Sequence, residues 1–183
     1  MDIVRSNIDG VVTVSSQPIE DDRGSLHRLF CKKELAGVIA ERQIVQINHT
    51  VTKKKGAVRG FHFQYAPHAE MKMIRCTRGA IWDVAVDLRQ GSSTFLQWFA
   101  QEITPENSKM MVIPEGVAHG FQVLEDNSEL VYLHTDFYTP DAEAGVNIQD
   151  PKLAVDWPLE IKDLSQRDRD HPFLSDDYAG VIL

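Results

Sequence analysis

A short, glycine-rich stretch, Lys55–Gln64, holds residues that could move a proton. It reads K-G-A-V-R-G-F-H-F-Q and places Arg59 and His62 beside two glycines. Its aromatic residues favour a strand, and strand alternation predicts that Arg59 lies on the opposite face from His62. A histidine next to permissive glycines on a rigid strand suits proton transfer or metal binding. A core histidine with a backbone partner is an equally good interpretation of this decapeptide alone.

Composition narrows the class of protein. The 183 residues, 43% of them hydrophobic, suit one domain over 1–183 with a single sizeable core. The formal net charge is −8, and Lys53–Lys55 is the only basic run. This balance argues against binding to nucleic acid or to an anionic membrane through bulk charge. A local basic site for a phosphorylated small molecule remains open.

The cysteines and the first residues of the chain indicate the cellular compartment in which the protein works. Cys31 and Cys76 are the only cysteines and have no Cys-x-x-Cys spacing, so neither a disulfide framework nor a thiolate zinc site is indicated. The first residues lack the apolar core of a signal peptide, and no apolar run reaches membrane-spanning length. We expect a cytoplasmic protein.

Alternation of apolar and polar residues predicts a series of short strands. In the clearest, Ala80–Leu88, Asp83 shares one face with Ile81 and Ala85, and that face is either solvated or lines a polar cavity. The other predicted strands are Val11–Ser15, Ile44–Asn48, Met71–Cys76, Thr94–Ile103 and Glu129–His134, and one short helix is predicted over Lys32–Glu41. Short strands between Gly/Pro turns indicate an all-β barrel or sandwich, over about 10–139. The proline-punctuated tail, about 140–183, is expected to pack back on it.

Two motifs point to a particular all-β architecture. Pro114-x-Gly116-x-x-His119 matches the second signature of cupins, which are small double-stranded β-helix jelly rolls with a central ligand cavity. Gly56 followed by five residues and then His62 matches the opening of the first signature. Metal-binding cupins continue His-x-His and then Glu, but this chain has Gln64 there. His68 and Glu70 follow at the wrong spacing, so no metal is expected.

The chain as a whole resembles one cupin family, the dTDP-4-dehydrorhamnose 3,5-epimerases and related nucleotide-sugar epimerases. The matching residues run in order along nearly the whole sequence. They are Asp21-x-Arg23-Gly24, Gln46-x-Asn48, Lys55-Gly56, Arg59-Gly60-x-His62-x-Gln64, Lys72, Asp83-Val84-x-Val86-Asp87-x-Arg89, Ser92-x-Thr94, Asn107, Pro114-x-Gly116-x-Ala118-His119-Gly120-Phe121, Tyr132, Tyr138, Asp150-Pro151, Trp157-Pro158 and Leu164-Ser165-x-x-Asp168.

The resemblance implies a cupin jelly roll with a few short helices that epimerises a nucleotide-linked 4-keto-6-deoxyhexose at C3, C5 or both, through an enolate and without a cofactor. It implies that His62 is the base, oriented by Asp168, that Lys72 stabilises the enolate and that Tyr132 donates a proton from the opposite face. The substrate-binding residues that it implies are Arg23, Gln46, Asn48, Arg59, His119 and Tyr138, with Asp83 supporting His119 or Lys72 from behind. It also implies a homodimer that exchanges N-terminal strands, with Val11–Ser15 as the candidate segment.

Without the resemblance, several of these residues have ordinary interpretations. Asp168 lies among clustered charges, Lys72 could sit at an exposed strand edge, and Tyr132 could simply pack. A metal-dependent cupin using His62, His119 and either His68 or Glu70 and a non-catalytic sugar-nucleotide-binding cupin are the alternative functions. The sequence also departs from the family's pattern. Leu26 and Arg28 replace the usual Phe and Glu, and Ile148-Gln149 replaces Trp-Asn, so the nucleotide is not fixed.

Overall fold

Antiparallel strands make up nearly all of the regular structure in the computed structural model, which describes residues 1–183. Two helices, of four and five residues, accompany thirteen strands. In chain order the elements are β1 (Asp2–Arg5), β2 (Val12–Ser15), β3 (Ile19–Asp21), β4 (Gly24–Leu26), α1 (Ala36–Ile39), β5 (Gln46–Thr52), β6 (Val58–Gln64), β7 (Lys72–Arg78), β8 (Ile81–Asp87), β9 (Trp98–Ile103), β10 (Lys109–Ile113), β11 (Val117–Val123), β12 (Ser128–His134), β13 (Glu143–Gly145) and α2 (Gln166–Asp170).

The strands form two sheets that face each other and one separate hairpin. The larger sheet has the order β1-β2-β10-β7-β12-β5, the smaller has the order β13-β6-β11-β8-β9, and β3 pairs only with β4. Between the sheets lies a cluster of thirteen buried residues that draws on both, including Ile74 and Leu130 from one sheet and Ile81 and Phe121 from the other. The predicted all-β cupin jelly roll is confirmed. No helix has the length and apolar character needed to span a membrane.

The outer face of each sheet is covered by chain that is mostly irregular. On the smaller sheet, Val146, Leu153 and Leu174 pack onto the apolar residues of β6 and β8, and Phe61 stacks on Trp157 with ring centroids 5.7 Å apart. On the larger sheet, Leu35 and Ile39 cover Met73 of β7 and Met110 of β10. The central strands of both sheets are thus buried on both faces, whereas β1 and the residues Ile47 and Val51 of β5 are exposed.

Strand parity is correct for the two strands that matter most to the site. On β8, Ile81 and Ala85 face the space between the sheets, where Asp83 also points, while Val84 and Val86 face outward. On β12, Leu130 lies in the central cluster and Tyr132 packs against it. The carboxylate face of β8 therefore lines a polar interior rather than solvent.

One parity prediction is wrong, because β6 contains a bulge. His62 pairs with His119 and Arg59 pairs with Phe121, so β6 uses one residue more than β11 over the same distance. The extra residue rotates Arg59 to the same side as His62, whereas alternation placed it opposite. Gly60 permits the bulge: its φ is +127°, and a Cβ there would lie 2.5 Å from the Cα of Gly120.

One predicted helix and one predicted strand are shorter in the structure than the sequence indicated. The helix over Lys32–Glu41 shrinks to α1, which has no side-chain cap at Leu35 and contains Gly37. The strand predicted over Thr94–Ile103 begins only at Trp98, because the hydroxyl of Thr94 bonds to the Asp87 carboxylate instead.

The N-terminal segment expected to cross to a partner lies within its own chain. Val12–Ser15 forms β2, an interior strand of the larger sheet, paired with β1 on one side and β10 on the other. This placement differs from the exchange predicted for Val11–Ser15. The exposed N-terminal element is instead the hairpin β3–β4, all of whose residues are exposed.

Candidate active site

A polar cavity of about 600 Å³ opens between the two sheets. Only four of its sixteen lining residues are hydrophobic, in contrast to the apolar cluster farther along the same interior. The lining residues are Gln46, Ile47, Asn48, His49, Thr50, Arg59, His62, Glu70, Lys72, His119, Phe121, Tyr132, His134, Tyr138, Glu143 and Arg167. A concave site with convergent polar groups is the expected form of a small-molecule site.

His62 and Asp168 form the first of three histidine–carboxylate pairs at this cavity. His62 Nε2 lies 2.7 Å from Asp168 Oδ1, and the aspartate comes from α2, in the C-terminal tail. Ser165 caps α2 by accepting a hydrogen bond from the Asp168 N–H at 3.1 Å, which fixes the backbone at this residue. The ring's other nitrogen, Nδ1, has no hydrogen-bond partner within the chain and is free to act on a ligand.

The charge of Asp168 is maintained in spite of its burial. Burial works to raise the pKa of Asp168, but the hydrogen bond and charge of His62, with help from Ser165 and Arg167, outweigh it and the pKa lies below its ordinary value. An ionised carboxylate hydrogen-bonded to an imidazole orients the ring and favours its protonated form. Such a pair suits a general base.

His119 and Asp83 form the second pair, across neighbouring strands. His119 Nε2 lies 2.6 Å from Asp83 Oδ1, and both side chains are buried, Asp83 completely. Burial raises the pKa of Asp83, against the charge and hydrogen bond of His119. The pair orients His119 toward the cavity, as the sequence-based hypothesis for Asp83 requires.

Lys72 is buried in the cavity wall, not exposed at a strand edge. Its Nζ donates to Glu70 Oε1 at 3.1 Å and to the His62 carbonyl at 3.4 Å. Glu70 in turn accepts a hydrogen bond from His134 Nδ1 at 2.7 Å, which makes the third pair. A buried ammonium close to His62 is well placed to stabilise negative charge on a ligand.

Tyr132 lies on the larger sheet, opposite the strand that carries His62. Its ring is stacked with His134 at a centroid distance of 6.0 Å and meets His119 edge-on at 5.8 Å. Burial raises the pKa of Tyr132 far above its ordinary value, so the phenol holds its proton. The hydroxyl has no hydrogen-bond partner within the chain.

Most of the predicted binding residues reach the cavity. Arg59 donates through Nε to Thr52 Oγ1 at 3.0 Å, and the side-chain Oε1 of Gln46 accepts from the Tyr138 N–H at 3.0 Å. Asn48 lies beside His134, with Nδ2 3.4 Å from the ring Nε2. The predicted site residues brought together at the cavity or directly behind it are Gln46, Asn48, Arg59, His62, Lys72, Asp83, His119, Tyr132, Tyr138 and Asp168.

Arg23 is the one predicted site residue outside the cavity. It lies at the turn of the β3–β4 hairpin, pairs with Asp21, and leaves 88% of its side chain exposed. The hairpin makes no sheet contact with the rest of its own chain.

The ligand set considered for a metal-dependent cupin does not converge. Glu70 is bonded to Lys72 and His134, and His119 to Asp83. His68 lies 3.7 Å from Asp136.

The Gln64 side chain occupies the position where metal-binding cupins carry a histidine. Its amide forms hydrogen bonds with the backbone of His68, Phe137 and Thr139 instead. His62, Asp168 and His171 do approach one another within 4.8 Å, but Arg167 Nη2 stands 3.2 Å from His62 Nε2, and a cation there opposes metal binding.

Four ionisable residues of the cavity wall that contact predicted site residues had no place in the predicted epimerase site. Arg167 pairs with Glu143, which also accepts a hydrogen bond from the Tyr138 hydroxyl. These two lie on α2 and on the three-residue strand β13, which are too short for a period to mark the side that faces the site. Glu70 was considered only as a metal ligand, and His134 could have been found because it stands two residues after Tyr132, on the same face of one strand.

The fold and the site together are those of a cupin-type isomerase, in which the His62–Asp168 pair, a buried lysine and a tyrosine on the facing sheet meet at one cavity. A family sequence profile described as dTDP-4-dehydrorhamnose 3,5-epimerase matches residues 5–176. The chain therefore belongs to the dTDP-4-dehydrorhamnose 3,5-epimerase family, and the predicted family and enzyme class are confirmed.

Similar proteins include enzymes with different stated outcomes. A dTDP-4-dehydrorhamnose 3,5-epimerase of Shigella flexneri is 35% identical over 97% of this chain and 99% of its own length. A dTDP-4-dehydrorhamnose 3-epimerase of Streptomyces niveus is also 35% identical, over 96% of this chain and 85% of its own. The crystal structure of a dTDP-6-deoxy-D-glucose 3,5-epimerase from Legionella pneumophila, in complex with dTDP-4-keto-L-rhamnose, superimposes with a TM-score of 0.91 at 31% identity, covering 100% and 98% of the two chains.

Proposed function

We propose that this protein is a cofactor-independent epimerase of a nucleoside-diphosphate-linked 4-keto-6-deoxyhexose, acting at C3, C5 or both. One observation carries the proposal: the His62–Asp168 pair, 2.7 Å apart, lines one wall of a cavity whose facing sheet supplies Lys72 and Tyr132. Epimerisation beside a ketone needs a base, a cation near the oxygen and an acid on the far side. The cavity offers each on a separate side chain.

The proposed reaction moves two protons and no other groups. The C4 ketone acidifies the neighbouring C–H bonds, and His62 takes the proton from C3 or C5 while Asp168 stabilises the imidazolium that forms. The electron pair moves onto the ketone oxygen as an enolate, facing the Lys72 ammonium. Tyr132 then gives its proton to the opposite face of the same carbon, and the ketone re-forms with inverted configuration.

The rest of the wall suits the nucleoside diphosphate. Arg59 and Arg167 present guanidinium groups, which match phosphate oxygens in planar, bidentate geometry. Gln46, Asn48 and Tyr138 lie along the same side, and His119 contributes a ring nitrogen free of partners within the chain. Thymidine is the first base to test because the relatives are named for dTDP sugars, and the changes at Leu26 and Arg28 make other bases a necessary part of the panel.

Proton NMR in deuterium oxide tests the proposal directly. The purified protein is incubated with 4-keto-6-deoxyhexoses linked to thymidine, uridine or guanosine diphosphate. Loss of the C3 or C5 proton signal reports enolate formation, and the coupling constants of the product report inversion. Exchange at neither carbon with any member of the panel would contradict the proposal, and the pattern of exchange assigns C3, C5 or both.

We infer that the protein is a homodimer, with the β3–β4 hairpin as its crossing element. Ile19 and Leu26 leave 70% and 68% of their surface exposed on a hairpin that pairs with no other strand of its own chain, and an isolated hairpin is marginal in water. Packing against a partner would bury both side chains and bring Arg23 toward the partner's cavity. A cytoplasmic location goes with this proposal, since sugar nucleotides are its substrates.

Light scattering tests the dimer. The intact chain should have twice the mass of one protomer, and Leu26→Asp should shift the mass toward one. Val51→Asp, an exposed apolar residue on β5, is the matched control and should leave the mass unchanged. A monomeric intact chain would contradict the inference.

A further inference from the structure

The third histidine–carboxylate pair has no role in the reaction as described so far. Glu70 accepts from His134 through one carboxylate oxygen at 2.7 Å and from Lys72 through the other at 3.1 Å. All three residues are buried, and all three line the cavity. One carboxylate therefore links the cation that faces the ligand to an imidazole that can gain or lose a charge.

The geometry leaves Lys72 one free donor. Its ammonium has three N–H groups, of which one points to Glu70 and one to the His62 carbonyl. The third is available to a ligand oxygen. Glu70 thus aims the lysine, but a carboxylate so close also cancels much of the ammonium's charge as a ligand experiences it, because screening is weak in a buried site.

Glu70 remains ionised and so exerts this effect at neutral pH. Burial works to raise the pKa of Glu70, but the hydrogen bond from His134 and the charge of Lys72 outweigh burial and lower it. The group of three then carries one net positive charge when His134 is an imidazolium and none when His134 is neutral. Only the first state can balance an enolate.

We propose that Glu70 and His134 are positioning residues for Lys72, and that the imidazolium of His134 offsets the Glu70 carboxylate so that the lysine's charge is available to the enolate oxygen. This inference rests on the proposed epimerase function. It predicts that a neutral side chain at position 134 slows enolisation only while the Glu70 carboxylate is present.

The surroundings of His134 are compatible with either state of the ring. Glu70 and Lys72 face it from the β7 edge, and Tyr132 is stacked on it from its own strand. From β5 it meets only the neutral amide of Asn48, 3.4 Å from Nε2. Glu70 is the only carboxylate in contact with the ring, so a change at that residue isolates the coupling.

A double-mutant cycle measured by deuterium exchange tests the inference. The exchange rate at the sugar carbons is followed at neutral pH over a range of substrate concentrations for wild type, His134→Gln, Glu70→Gln and the double variant. His134→Gln should slow exchange at saturating substrate about tenfold, less than the 10²–10³-fold loss of a direct oxyanion donor. KM should change little, because the lost effect acts on the enolate and not on the bound ketone. In the Glu70→Gln background the same change should cost less than about twofold, because no carboxylate remains to be offset.

A control variant and the contrary outcomes distinguish failure of this inference from failure of the proposed epimerase function. His68→Gln removes a histidine side chain that does not line the cavity and should leave the exchange rate unchanged. Equal losses of exchange rate in the two backgrounds, or a loss confined to KM, would overturn the inference. If wild type exchanges no substrate, the proposed function itself has failed.

Discussion

His62–Asp168 and His119–Asp83 have nearly the same geometry but are built in different ways. Their hydrogen bonds measure 2.7 Å and 2.6 Å. Asp83 and His119 lie on adjacent strands of one sheet, and neither is accessible to solvent beyond a few per cent. Asp168 arrives from a helix in the tail, and the His62 side chain keeps 21% of its surface open.

On the proposed function, the difference fits two tasks, a general base at His62 and a binding group at His119. A base must meet its substrate and exchange protons with solvent, so its ring needs an open side and an ionised partner. A fixed binding group needs only its orientation, which sheet register and full burial supply. The opposite shifts in pKa at Asp168 and Asp83 follow from this contrast.

Removing the two rings should have the largest and most unequal effects. His62→Ala should lower deuterium exchange by about 10²–10⁴-fold, the range expected for loss of a general base. His119→Ala should chiefly raise KM and leave exchange measurable. Both variants are followed by NMR in deuterium oxide. A His62→Ala protein that exchanges at the wild-type rate would contradict the proposal that the two pairs have different roles.

The next largest effect should come from Tyr132, which touches the ring of His119 on the sheet facing His62. Tyr132→Phe keeps the stacking but removes the proton donor, so the enolate forms and is reprotonated on its original face. Deuterium uptake should continue while inverted product falls by roughly 10²-fold. Inversion that keeps pace with exchange would assign the donor to another group, whereas general damage to the fold would depress both equally.

The two carboxylates should also respond to pH in opposite directions. The folded pKa of Asp168 is lowered, so its contribution to stability is present above the ordinary aspartate value of 3.8 and is lost as the pH falls. The folded pKa of Asp83 is raised, so its contribution is present below that value and is lost as the pH rises.

Urea unfolding at pH 3.5 and pH 7 measures this contrast. Relative to Asp168→Asn, wild type should gain stability between the two values. Relative to Asp83→Asn, it should lose stability. Shifts of the same sign for both variants would mean that the two pairs are electrostatically alike.

The smallest effect should come from the helix cap behind Asp168. Ser165→Ala removes the acceptor of the Asp168 N–H, a loss of about 0.5–2 kcal/mol that acts on α2 alone. Amide exchange over 166–170 should quicken about 2–30-fold, with little change in global stability, as measured by mass spectrometry. Thr104→Ala removes a comparable turn cap at Asn107 and is the control. Unchanged protection at 166–170 would show that packing, not the cap, holds this helix.

Sequence patterns predicted the direction of a side chain correctly where the pattern lay within one regular strand. Alternation over β8 and β12 correctly placed Asp83 and Tyr132 toward the interior, since period-two patterns are a direct consequence of the pleat. The same rule failed at Arg59, because Gly60 hosts a bulge and one added residue reverses every face before it. Residue types alone did not reveal it.

The C-terminal tail is the second region in which sequence patterns could not identify residues of the site. Pattern alone would have left Asp168 as a surface charge, and only the family resemblance connected it to His62, more than a hundred positions earlier. Glu143 and Arg167 were not predicted for a related reason, because β13 and α2 have only three and five residues and show no period from which to infer the side that faces the cavity. Contacts of this kind depend on where the tail docks, and that depends on the apolar surface of β6 and β8.

Asp168 lies on α2, which follows every strand of the two sheets in the sequence, so its carboxylate is added after all of them during synthesis. All thirteen strands have left the ribosome's active centre once Gly145 is added, but α2 begins only at Gln166. A chain that ended at Gly145 would therefore contain every strand of both sheets, Lys72 and Tyr132, yet His62 would lack its hydrogen-bond partner Asp168. On the proposed function, an incomplete chain would hold the cavity without an oriented base.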